Sequence, residues 1–313
     1  MRFIAPDYYE NFKCIADACK NSCCIGWEID VDLETLDFYR SLGGKWREKF
    51  ENSISCEEGT PHFITDEKER CPFLNQNGLC DLITELGEDA LCQICYDHPR
   101  FRNFFTDREE TGLGLCCEAA AELILKKEDK ASLTVLFEEE ESADLTEEEK
   151  RIFTKREELF DLFQNRGISI KKRIEQAARF YKIPLLDRNI AQLVKKYRSL
   201  ERLDSKWDEI LDKTEQKGLD IKLVLSEANQ KIALPTEQLL CYFTYRYFAV
   251  EALNDNPVGA LNFILEAAVF CLAVCFSNFD GLNLENFTEI CRLFSLEVEY
   301  SEQNVDLLLK GGN

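Results

Sequence analysis

The chain has 313 residues, 45% of them hydrophobic, with 59 acidic side chains against 38 basic ones and a formal net charge of -21. A chain of this length and apolar content can bury a sizeable core, as one large domain or two smaller ones. The excess of negative charge repels phosphate backbones and argues against nucleic acid as a partner.

The opening segment, Met1-Arg2-Phe3-Ile4-Ala5-Pro6-Asp7-Tyr8, contains no apolar stretch of the kind that leads a secreted protein. A cytoplasmic, reducing location is therefore expected, in which thiols stay free. To about residue 130 the chain reads as irregular, with short helical stretches broken by turn signals at Gly43-Gly44, Asn77-Gly78 and Gly87. Eight acidic residues follow between Glu138 and Glu149, and Thr146 with Glu149 makes a capping-box pattern. Beyond that the helical period takes over. Ile152, Phe153, Leu159, Phe160 and Phe163 share a face. So do Ile174, Ala177, Ala178 and Tyr181, and then Ile190, Leu193, Val194 and Tyr197. Pro184 separates two of these helices and Pro235 opens another. Val258 to Phe276 is apolar over nearly membrane-spanning length, but Asn262 and Glu266 interrupt it. A central helix of the bundle is the expectation, with peripheral membrane association through neighbouring apolar faces left open. The expected fold is mainly α. A Cys-rich metal-binding region spans residues 1–130, an acidic linker or helix start spans 131–150, and an α-helical bundle spans 151–313.

Fifteen cysteines need an explanation in a reducing compartment, and their odd number fits a disulfide framework poorly. Four of them, Cys241, Cys271, Cys275 and Cys291, lie in apolar stretches and read as core. The other eleven fall between Cys14 and Cys117, among turns, charges and prolines. Cys56 stands alone. Cys14, Cys19, Cys23 and Cys24 form a first group. Cys71 and Cys80 bracket Asn77-Gly78, a strong hairpin signal that brings two thiols together. Cys92 and Cys95 can reach one metal from a single tight turn, and Cys116 with Cys117 closes the set. Four thiolates suffice for a cubane or a structural zinc, and ten are available. Their irregular spacing favours iron–sulfur over the paired knuckles of zinc. His98, three residues past Cys95, is either a ligand or proton carrier, or a ring that fixes the turn before Pro99. Tyr8 and Tyr9 are expected to be core. Gly112-Leu113-Gly114 opens a helix expected from about Cys116 to Lys127, with no preceding strand of the sort a dinucleotide fold requires, so it reads as a plain turn.

Three motif groups resemble the flagellin lysine-N-methylase (FliB-like) family and touch the wider group of Cys-rich zinc- or iron-chelating proteins. The first is Pro6-Asp7-Tyr8-Tyr9 leading to Cys14, Cys19 and Cys23-Cys24-Ile25-Gly26-Trp27. The second is Cys71-Pro72-Phe73-Leu74 with Gly78-Leu79-Cys80. The third is Leu91-Cys92, Cys95, His98-Pro99-Arg100-Phe101 and Gly112 to Glu118. The likeness is dense over residues 1–125. It implies a cytoplasmic enzyme that methylates flagellin lysines with S-adenosylmethionine and carries a [4Fe-4S] cluster. The cluster would be held by four among Cys14, Cys19, Cys23, Cys24, Cys71, Cys80, Cys92 and Cys95, with Cys116 and Cys117 behind them. Lysine methylation needs a neutral amine in line with the donor methyl, and Asp97, His98 and Tyr9 are the local candidates for orienting or deprotonating it. The usual glycine-rich methyltransferase signature is absent from the sequence. A non-enzymatic iron- or zinc-binding module with a helical partner-binding domain is the alternative.

Overall fold

Helices dominate the computed structural model, which describes residues 1–56, 59–139, 143–185 and 189–310. The chain divides into two units. One is Lys13–Phe101; the other joins Met1–Phe12 to Arg102–Asn313. The Cys-rich region expected over residues 1–130 contributes to both units.

In the larger unit, β1 (Arg2–Pro6) lies between β5 (Arg108–Leu113) and β6 (Leu133–Glu138), in a sheet ordered β4-β5-β1-β6 with β4 at Arg100–Phe104. β1 runs parallel to β5, with Arg2 opposite Arg108, and antiparallel to β6, with a register shift after Phe3. This pairing ties the N-terminal twelve residues to the helical part. It also corrects the reading of the glycine-rich turn. Gly112 and Leu113 end a strand, and α5 begins only at Glu118 and runs to Leu125. A strand does precede the turn, but its sheet is mixed rather than the open parallel sheet of a dinucleotide fold. β5 was hard to see because Arg108-Glu109-Glu110 looks solvated. Glu110 is in fact fully buried, in a two-pronged ion pair with Arg156 at 2.5 and 2.7 Å.

The bundle begins at α6 (Glu147–Phe163). Residues 140–142 of the acidic run lie outside the described residues. The capping box is formed: the Glu149 amide donates to Thr146 Oγ1 at 3.1 Å, and the Thr146 amide donates to Glu149 Oε2 at 2.8 Å. Helices α7 (Ile170–Phe180), α8 (Ile190–Arg198), α9 (Lys206–Lys217), α10 (Ile221–Lys231) and α11 (Ala233–Phe243) follow. They bury the faces read from periodicity, including Ile174, Ala177, Leu193, Val194 and Tyr197. After α12 (Ala249–Leu253) comes α13 (Pro257–Asn278), the apolar stretch, whose most apolar window is 94% buried inside the protein. It packs against α9, α10, α14 (Leu284–Phe294) and α15 (Glu302–Lys310). Its Glu266 accepts an ion pair from Lys196 at 2.6 Å. It is the core helix of the bundle. Cys241, Cys271, Cys275 and Cys291 are buried in this unit, as expected of core thiols.

The smaller unit holds α1 (Leu33–Ser41), α2 (Lys45–Ser53), the two-residue strands β2 (Ile54–Ser55) and β3 (His62–Phe63), α3 (Asp81–Leu86) and α4 (Gln93–Asp97). Aromatic rings fill its centre. Tyr39 stacks on Phe50 at 3.9 Å, and Phe73 meets Phe50 at 5.1 Å and Phe63 at 4.9 Å.

Glu149 gives a direct test of the larger unit. Burial pulls its carboxyl upward, but the Thr106 amide and the Thr146 hydroxyl and amide outweigh that and hold it at about 2, against an ordinary 4.5. A carboxylate depressed on folding stabilises the protein fully above its unfolded pKa and loses that contribution as pH falls through the folded one. Glu149→Gln should therefore lower stability by about 1–3 kcal/mol at pH 7 in denaturant titrations, with the difference shrinking between pH 4.5 and 2.

Candidate metal centre

Three segments of the smaller unit carry its inner thiols. In the first, Cys24 to Gly26 pairs with Glu69 to Cys71. The Cys71 amide donates to the Cys24 carbonyl at 2.8 Å, and the Gly26 amide to the Glu69 carbonyl at 3.0 Å. The second is the expected Asn-Gly hairpin. Gly78 takes the left-handed φ of +76° that the turn requires, Asn75 Oδ1 accepts from the Asn77 and Leu79 amides, and Leu74 bridges Cys80. In the third, Cys92 precedes α4, and the Cys95 amide donates to the Cys92 carbonyl at 3.0 Å.

These segments converge. Cys71 and Cys92 are buried in the aromatic core, and Cys24, Cys80 and Cys95 pack against it half-buried. The five thiols sense one another electrostatically. The Cys23 thiol, against the pull of burial and with help from Ser22 and Arg70, draws Cys24 down to about 7. A hydrogen bond from Cys95 lowers Cys92, and the donor role raises Cys95 itself. Burial, helped by the charges of Cys24, Cys80 and Cys92 and opposed by the Phe73 amide, lifts Cys71 to about 12. Burial raises Cys80 too. The core thus accommodates a first thiolate and resists each further one. A cation among them reverses that balance, because thiolates on a metal are held deprotonated by its charge.

The donor set is all sulfur, which fits an iron–sulfur centre or a zinc site. Among the described residues, no three His, Cys, Asp or Glu side chains already stand at metal-ligand spacing.

The remaining candidates are placed differently. Cys14 and Cys23 are exposed and Cys19 is half-exposed on the loop before Cys24. Cys14 Sγ accepts from the Ala16 amide at 3.4 Å, and Cys19 Sγ donates to the Asn21 carbonyl at 3.2 Å. Cys56 is exposed. Cys116 and Cys117 belong to the larger unit, where burial raises Cys116 to about 12. Although they sit among turns, charges and prolines in the sequence, Cys71, Cys92 and Cys116 are buried.

His98 lies against Trp27, ring centres 6.5 Å apart, and burial with the nearby Arg100 lowers its imidazole to about 4. The ring is neutral at pH 7 and better suited to hydrogen bonding than to retaining a proton. Asp97 accepts from the Gln93 side-chain amide at 2.7 Å, within its own helix. Tyr9 is in the larger unit, its hydroxyl 3.4 Å from Thr111 Oγ1, while Tyr8 is buried there. The three catalytic candidates are thus divided between the units.

Sequence reasoning passed over Asp32. Its carboxylate accepts from the Thr35 amide at 2.9 Å, capping α1, and from the Gln93 amide at 2.8 Å, capping α4 immediately after Cys92. Burial opposes the charge, but these donors hold the carboxyl below its ordinary value. The signal was present as an Asp three residues before Thr35; its second partner is 61 residues away and left no local trace. Asp32→Ala should cost about 1–2 kcal/mol of stability and speed amide exchange at Gln93 and Cys95, read by hydrogen exchange. Unchanged exchange there would show that α4 is held by other means.

No family model matches the chain, and no solved structure matches it. Curated proteins do. A flagellar biosynthetic protein, FliU, of Salmonella muenchen is 26% identical over 134 residues, covering 41% of this chain and 79% of that protein. A lysine-N-methylase of Salmonella typhimurium is 25% identical over 135 residues, as is one of Salmonella choleraesuis. These matches cover 41% of this chain and 34% of the methylases, so the chain matches about a third of the length of those two relatives. Over about two-fifths of its length the chain is thus similar to FliU and to the lysine-N-methylases, in keeping with the FliB-like resemblance read from its sequence.

Proposed function

We propose that this protein is a protein-lysine N-methyltransferase that uses S-adenosylmethionine, depends on a [4Fe-4S] cluster and acts on flagellin. One observation carries the reading. In a chain similar to lysine-N-methylases, five thiols from three separate segments pack into one core. Cys24, Cys71, Cys80, Cys92 and Cys95 are the residues that would hold the cluster. Bound there, it supplies Lewis-acidic iron in a half-buried site.

The rest of the chemistry falls to the chain's own residues. Methyl transfer forms a bond from the lysine Nζ lone pair to the methyl carbon while the sulfonium C–S bond breaks, its electron pair staying on sulfur. The proton shed by the amine passes to solvent or a base. A dry wall favours the neutral amine that this displacement needs. Trp27 and the neutral His98 ring form such a wall beside Cys24. Asp97 steadies α4, which carries Cys95, through Gln93.

Protein loaded anaerobically with iron and sulfide should transfer labelled methyl from S-adenosylmethionine to flagellin. Cys71→Ser and Cys92→Ser should each abolish transfer along with the brown chromophore. Cys56→Ser should change neither. A loaded protein that never transfers methyl refutes the enzyme. The limited overlap with the methylases favours one second reading, a non-enzymatic iron- or zinc-binding module. That reading predicts metal uptake by the same thiols without transfer, and zinc loading as stable as iron.

A further inference from the structure

Cys92 and Cys95 meet the requirements of a disulfide in both backbone and side chain. The Cys92 carbonyl accepts from the Cys95 and Tyr96 amides, each at 3.0 Å, which closes a turn with one cysteine at either end. The Cα atoms at the ends of such a turn lie within about 7 Å of each other, and a disulfide spans about 4.4–6.8 Å. The side chains also face one another, because the Cys95 thiol donates a hydrogen bond to the Cys92 sulfur. Both are free thiols. Cys23 and Cys24 share a hydrogen bond too, but they are neighbours in the chain. Their Cα atoms are about 3.8 Å apart across a trans peptide, too close for an unstrained bridge.

The two thiols differ in reach. Cys92 is fully buried in the aromatic core, while Cys95 is half-buried at its edge. The turn is held from outside as well. Asp32 accepts from the Gln93 amide at 2.8 Å, and the Tyr39 hydroxyl donates to the Ala90 carbonyl at 2.7 Å, two residues before Cys92. A small molecule from solvent meets Cys95 first, and Cys92 reacts from within.

We propose that Cys92 and Cys95 form a thiol–disulfide exchange site for a low-molecular-weight disulfide, and that its closure shuts the metal centre. The Cys95 sulfur attacks one sulfur of the small disulfide, forming a mixed disulfide and releasing one small thiol. The Cys92 sulfur then attacks the Cys95 sulfur and releases the second. Each departing sulfur takes the proton that the attacking thiol sheds. Two protein thiols are thus oxidised to one disulfide while one small disulfide is reduced to two thiols. The bridge is uncharged and suits a dry core. It ties up two of the five core sulfurs and leaves Cys24, Cys71 and Cys80, one fewer than the four that a cubane or a structural zinc takes. The gate rests on the metal-centre reading; the exchange does not.

The test incubates the full chain, reduced, metal-free and anaerobic, with oxidised glutathione. Peptide mapping by mass spectrometry should find Cys92 joined to Cys95, whereas the exposed Cys14 and Cys56 carry glutathione. Cys92→Ser should instead trap glutathione on Cys95. Zinc uptake, measured as zinc per chain, should be lost from the core of the oxidised chain and restored by a phosphine reductant. Cys92 and Cys95 recovered as free thiols, or each carrying glutathione, overturns the exchange site. A joined pair with undiminished zinc uptake overturns the gate. A reduced chain that takes up no zinc removes the gate and leaves the exchange site standing on the mapping alone. Methyl transfer after loading with iron and sulfide is scored separately, so its absence removes the enzyme without touching either result.

Discussion

Burying several thiols side by side is chemically unstable in a way that burying leucines is not. Each thiol is tolerable when protonated, but each thiolate formed in a dry core raises the cost of the next. The smaller unit is built around this conflict. Its aromatic rings remove water from Cys71 and Cys92, while Cys23, Arg70 and the Cys92–Cys95 hydrogen bond favour a first charge at the edge. Two end states are open to such a core when reduced: all thiols protonated and packed, or thiolates neutralised by an inorganic cation. The second is the state proposed above for these thiols. In the bundle Cys271, Cys275 and Cys291 also lie near one another, Cys291 sharing a hydrogen bond with Cys271 in the core.

The local devices around the core serve that gathering. Asp32 fixes the turn of Cys92 to α1, the Asn75 side chain folds the hairpin that returns Cys80, and the pairing of Cys24 with Cys71 closes the third side. None is a long-range hydrophobic contact. Each is a directional hydrogen bond, so the thiol positions depend on geometry as well as on packing.

Much of this was legible in the sequence where the signals were local. The helical faces of Ile174 and Leu193, the Thr146–Glu149 cap, the Asn77-Gly78 turn and the burial of Cys271 follow from periodicity, hydrogen-bond chemistry and composition. The sheet was not legible. β1 is five residues ending in proline, and β5 opens with three charges, one of which is buried only because Arg156 meets it from 46 residues away. For the same reason the ten candidate thiols could not be sorted by spacing. Cys14 and Cys19 sit in an open loop, Cys116 and Cys117 join the larger unit, and three-dimensional packing brings Cys24, Cys71, Cys80, Cys92 and Cys95 to one core.

The most direct measurement is Mössbauer spectroscopy of the chain loaded anaerobically with iron-57 and sulfide. The account predicts iron in tetrahedral sulfur coordination that disappears when serine replaces the five core cysteines together. Iron without sulfur coordination, or an unchanged sulfur-bound signal after that replacement, would contradict it.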